Sequence, residues 1–83
     1  MNENPKIYRF NLRNWLMKIP LKNRGILLDK IQKQSGQSKA TIKRIIYMPI
    51  EDRTYVRAET KEAICSIFGK SINEFEKPFE PNE

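Results

Sequence analysis

Apolar residues recur along this chain mostly at intervals of three and four, the period of helices packed on one core. Leu12, Trp15, Leu16 and Ile19 stand at i, i+3, i+4 and i+7 and predict a first helix that Asn11 can cap and Pro20 stops. Phe10 and Trp15 fall where a hydrophobic staple sits. A second helix is predicted over residues 24–35, with Asn23 as its cap, Leu27, Leu28 and Ile31 inward, and Asp29, Lys30 and Lys33 outward. Gly36 can take the left-handed conformation that ends it, and Ser38 is a preferred cap for a third helix over residues 39–47. At about 100° per residue, Thr41, Ile42, Ile45 and Ile46 share one face of that helix, and Lys39, Ala40, Lys43, Arg44 and Tyr47 share the other.

Pro49 prevents continuation, and residues 48–57 read as a polar connection carrying two acids and two arginines. A fourth helix over residues 58–68 points Ala63, Ile64, Ile67 and Phe68 inward. Cys65 lies beside that stripe, about 130° from its centre, and reads as a bystander thiol. Gly69 ends the helix, and Ser71 caps a last turn whose Ile72 and Phe75 can close the core. Ile7-Tyr8-Arg9-Phe10 is too short to type, so residues 1–10 read as an arm. Residues 76–83 hold two prolines and no pattern and read as a flexible tail, unless Phe79 docks on a partner. The pattern therefore predicts an all-α domain of four to five helices over residues 11–75.

Composition narrows the chemistry. Eighty-three residues make one small domain with little apolar surface to spare. One cysteine and no histidine leave no disulfide and no zinc set, and no metal or cofactor is expected. There is no nucleophile–base pair, no glycine-rich phosphate loop and no carboxylate pair in an apolar setting, so catalytic residues are not expected. MNENPKIYRF lacks the apolar run of a signal peptide, and nothing approaches spanning length, so a cytoplasmic protein without a membrane partner is expected.

Charge carries more information. Residues 22–44 hold seven basic side chains against Asp29, an excess of six that equals the formal charge of the whole chain. Residues 59–83 hold six glutamates against three lysines. Such a division predicts a directional basic surface, for which phosphate backbones are the natural partner. An anionic membrane would need bulky apolar residues opposite the basic ones, and here those residues are required by the core.

SGQSKATIKRI resembles the turn and recognition helix of the Cro/lambda-repressor-like (XRE-type) helix-turn-helix family. RAETKEAICSIFGKSINEF resembles that family's fourth helix and closing turn, with Thr60, Ile64, Phe68, Gly69, Ser71, Glu74 and Phe75 in matching places. The two matches and the helix before them span about residues 24–75. Gln32 stands where the family usually has a small residue, Gln37 replaces a turn hydrophobe, Lys70 replaces a valine, and the connection from Tyr47 to Arg57 is longer. The stem of Gln32 can fold over the helix contact with its amide in solvent.

The resemblance implies a lambda-repressor-like fold that docks its third helix in the major groove of double-stranded DNA, with the start of the second helix toward a phosphate. By matching positions, Lys39, Ala40 and Arg44 would face base edges, Lys43 would lie close by, and Ser38 and Thr41 would serve at the helix start. Thr41 has an equally good structural place beside the isoleucines. Asn23 and Arg24 are candidate phosphate clamps, and Tyr47 and Arg53 candidates for the flanking backbone. The implied function is a sequence-specific transcriptional regulator of phage or mobile-element type, usually a homodimer and with no small-molecule ligand. The alternatives are a protein-interaction or virion-structural module on the same fold, or an antitoxin.

Overall fold

The helices are decided at their ends. In the computed structural model, which describes residues 6–81, α1 (Leu12–Met17) follows Asn11, whose side chain makes no cap bond. It stops short of Ile19, because the residue before a proline is pushed out of the helical region. The Ile19 amide instead donates to the Leu16 carbonyl at 3.0 Å. The next helix, α2 (Leu21–Ser35), begins earlier than the pattern suggests. Pro20 holds the cap position, and its carbonyl accepts the Asn23 amide at 2.8 Å. Asn23 is therefore a first-turn residue and not the cap: the fixed backbone of Pro20 starts the helix without a side-chain acceptor.

Gly36, at φ 74°, ends α2 in the left-handed region that a β-carbon disfavours. Two residues on, the Ser38 hydroxyl accepts the Thr41 amide at 3.2 Å and opens α3 (Lys39–Ile46). The longer α4 (Ala58–Phe68) ends at Gly69, again left-handed at φ 66°. The last helix, α5 (Ile72–Phe75), starts with a full capping box in which Ser71 and Glu74 exchange side-chain and main-chain bonds. Its Ser71 amide donates to the Glu74 carboxylate and holds that carboxyl below its ordinary pKa.

These elements make a compact all-α domain of five helices among the described residues. The second helix packs on both α3 and α4, α1 on α3, and α5 on α4. Leu12, Ile31, Ile42, Ile64 and Phe75 are the largest fully buried side chains. The Phe75 ring stacks on Phe10 with centroids 4.7 Å apart and meets Trp15 at 5.9 Å, while Trp15 meets Phe68 at 5.3 Å. No described helix is long and apolar enough to cross a membrane.

Three expectations change in three dimensions. Residues 7–10 are not a detached arm. The Tyr8 amide donates to the Phe79 carbonyl at 2.8 Å, the Phe79 amide returns a bond at 2.9 Å, and the Arg9 amide donates to Met48 at 2.8 Å. Phe79 of the expected tail thus docks on Tyr8 of the same chain, and their rings stack at 6.4 Å. Residues 1–5 and 82–83 of the arm and tail lie outside the described residues. The connection after α3 is not polar throughout, since Met48 and Val56 are buried and anchor it to the core. Cys65, placed beside the apolar stripe by helical spacing, is buried because α5 folds back over that side of α4. Its Sγ donates to the Ser71 carbonyl, and burial first, then Glu74, Glu76 and Glu62, push the thiol pKa up.

Two outcomes test this packing. Phe75→Ala removes the ring on which Phe10 and Trp15 meet and costs about 3–5 kcal/mol in urea unfolding, against about 2–4 kcal/mol for Ile45→Ala. A loss under about 1 kcal/mol for either places that residue outside the core. The Cys65 thiol reacts with a thiol reagent at neutral pH only as fast as the native chain opens, so its labelling rate rises with urea across the unfolding transition.

Candidate nucleic-acid interface

The orientation of α3 follows from its isoleucines. Ile42, Ile45 and Ile46 are buried, which turns Lys39, Ala40, Lys43 and Arg44 to solvent. The helix presents three cations and no acid on that face. Tyr47 follows at the C-terminal end, about half exposed. Ser38 and Thr41 are turned toward each other at the start, with the Ser38 hydroxyl donating to Thr41 Oγ1 at 3.1 Å. That bond and the cap bond give both hydroxyls a structural task, and Thr41 is half-buried.

Each side of this face is walled by an arginine that the sequence reading passed over. On one side, Arg9 Nη1 donates to the carbonyls of Asp52 and Thr54 at 3.1 and 2.6 Å and fixes the loop there. The Asp52 carboxylate accepts both the Thr54 amide, at 2.8 Å, and the Thr54 hydroxyl, at 2.6 Å. With its proton given to Asp52, the Thr54 oxygen is free to accept from Arg44 Nη2 at 3.2 Å. The loop thus steers the Arg44 guanidinium. The two bonds from Thr54 hold the Asp52 carboxyl below its ordinary pKa, and the charges of Arg44 and Arg9 add to this. Arg53, on the same loop, is exposed.

On the other side, the Arg13 guanidinium lies 5.3 Å from the Tyr8 ring centre and 5.1 Å from that of Tyr47. Its Nε is buried without a hydrogen-bond partner. Arg13, Arg24 and Lys43 together line a hollow of about 90 Å³ beside Tyr47, and no acid lines it. Leu16, Met17, Leu28 and Ile46 line the same hollow, so three cations stand at the rim of a partly apolar hollow. Arg24 is not a free clamp, however. Its Nε donates to the Ile19 carbonyl at 2.8 Å and its Nη2 to Met17 at 3.3 Å, closing the end of α1. Asn23 is exposed one residue earlier, in the first turn of α2.

Among the expected residues, Lys43, Arg24 and Tyr47 are brought together around Arg13, and Arg44 is joined to the loop that carries Arg53. Gln32 is half-buried, and its amide donates to Asp29 Oδ1 at 3.4 Å. In the sequence Arg13 was only a basic residue on a short apolar helix; its two flanking rings come from residues 5 and 34 positions away. Away from this face, Lys61 pairs with Glu76 at 2.6 Å between α4 and the end of α5. The chain matches no protein-family model, no curated protein and no solved structure.

The loop bond to Arg44 has a pH signature. Because the folded Asp52 pKa lies below its unfolded value, its contribution is fully present above the unfolded pKa and is lost as pH falls through the folded one. The Thr54 amide resonance therefore titrates with a midpoint below the ordinary aspartate range of about 3.9, and Asp52→Asn abolishes that titration. A midpoint at or above the ordinary value shows that Asp52 does not hold this loop.

Proposed function

We propose that this protein is a sequence-specific double-stranded DNA-binding regulator of the XRE-type helix-turn-helix kind, which lays α3 in the major groove. The observation that carries this reading is the face of α3, where Lys39, Ala40, Lys43 and Arg44 stand exposed on a helix fixed by three buried isoleucines. A helix so anchored offers cations at a constant spacing, the requirement for reading base edges rather than merely attracting a polyanion. The resemblance of residues 35–45 and 57–75 to the family's motifs supports the same assignment.

Roles divide by chemistry. The planar fork of Arg44 suits guanine O6 and N7, and the Ala40 methyl suits the methyl of thymine. Lys43, with Arg13 beside Tyr47, suits the backbone, where charge counts and shape does not. A single short helix reads few base pairs, so the reading includes a homodimer on a two-fold symmetric site.

Selection of bound DNA from a random duplex pool yields a cognate site with two-fold symmetry. On it, log K falls linearly with log salt, with a slope of roughly −3 to −6 per protomer. Arg44→Lys keeps the charge and removes the fork, lowering cognate affinity by about 1–3 kcal/mol while leaving scrambled duplex almost unchanged. Lys43→Ala and Arg13→Ala weaken both duplexes alike. Equal weakening of both duplexes by Arg44→Lys makes Arg44 a backbone contact. No effect of any of the three sinks the reading and favours a protein-interaction module.

A further inference from the structure

Between α3, the connection that follows it and the start of α4 lies a second hollow, of about 250 Å³, from whose lining the DNA reading gives a base-contacting role to Arg44 alone. Its floor is apolar, made by the buried side chains of Ile45, Met48 and Val56. Arg44 and Arg57 line it, and no acidic residue does. Thr60, only 2% exposed and the one polar residue among the described residues that is buried, lines it from the first turn of α4. That helix begins without a side-chain cap, and the Arg57 carbonyl accepts the Thr60 amide at 3.1 Å. The wall is fixed, since Arg9 pins the Asp52 and Thr54 carbonyls and Thr54 holds Arg44.

We propose that this hollow binds a small organic carboxylate with an apolar body. The carboxylate is held by Arg44, Arg57 and the Thr60 hydroxyl, and the body lies on Ile45, Met48 and Val56. Three features select this class of ligand. Guanidinium forks match a planar carboxylate in bidentate fashion. The apolar floor gives a bare inorganic anion nothing and strips its hydration. The volume lies just below the usual range for ligand pockets, about 300–1,000 Å³, which limits the body to about one ring or a branched chain.

Arg44 belongs to both surfaces. A carboxylate that takes its guanidinium withdraws the fork from the groove, so ligand and DNA oppose each other, each lowering the other's affinity by the same factor. This coupling rests on the reading of α3 as the DNA-contacting helix, whereas the site itself does not.

Sodium benzoate is the probe, titrated at constant ionic strength into the full isotope-labelled chain and followed by amide resonances. The expected result is saturable binding with a dissociation constant of about a millimolar or below. The shifts centre on Thr41, Arg44, Thr54 and residues 56–60. Benzyl alcohol, which keeps the ring and loses the charge, and acetate, which keeps the charge and loses the ring, each bind at least about tenfold more weakly. Arg57→Gln, at an exposed position outside the DNA surface, weakens benzoate about tenfold. Thr60→Val weakens it about threefold. Saturating benzoate also lowers affinity for the selected duplex about tenfold.

Benzoate shifts that do not saturate, or that spread over all exposed lysines, overturn the site. Acetate or inorganic phosphate binding as well as benzoate overturns the assigned ligand class. Unchanged benzoate affinity in both variants overturns the assigned residues. A site that binds benzoate in a chain that binds no duplex at any salt leaves the ligand proposal standing and removes the DNA reading instead.

Discussion

The ring of Phe75 sits where both ends of the described chain and its first helix converge. Phe10 stacks on it from the N-terminal segment, Trp15 meets it from α1, and its own carbonyl accepts the Asn11 amide that opens α1. A domain this small has one chance to bury its aromatic surface. Placing the last helix over the first closes the core that α2, α3 and α4 alone leave open. The capping box of Ser71 and Glu74 matters for the same reason: a four-residue helix has too few internal bonds to hold its register unaided.

From that closure follows the position of α3. Its isoleucines are held in the core, and an arginine stands at each of its flanks. Arg9 fixes the loop after it, and Arg13 sits against the rings of Tyr8 and Tyr47. Arg24 is spent on the end of α1. The surplus of basic residues is thus divided between cations that build the frame and cations the frame displays, and Lys39, Lys43 and Arg44 are those displayed on α3.

Arg44 stands where the two proposed surfaces meet. Its guanidinium is steered by Thr54, which is in turn oriented by Asp52, so its direction is set by a loop and not by α3 alone. A side chain aimed by a loop is adjustable by whatever fills the hollow behind that loop. On the two proposals together, one side chain would report both ligand and groove without a separate ligand-binding domain.

The sequence alone determined the elements with strong local signals. Gly36 and Gly69 end helices, Ser38 and Ser71 begin them, and the spacing of Ile42, Ile45 and Ile46 orients α3. Each is a matter of backbone geometry or helical period over a few residues, and each is realised in the fold. Where the signal was ambiguous, neighbours decided. Pro20 displaced Asn23 as the start of α2, and α5 buried a cysteine that helical spacing had left at the edge. Tertiary structure alone decided what residues 7–10 do, because four residues have no measurable period and their bonds go to Met48, Ile50 and Phe79. It alone decided what each arginine touches, since Arg9, Arg13, Arg24 and Arg44 differ only in what the folded chain brings beside them. The hollow behind Arg44 is likewise a product of packing: its lining comes from the α2–α3 turn, α3, the connection and α4, and no stretch of sequence contains it.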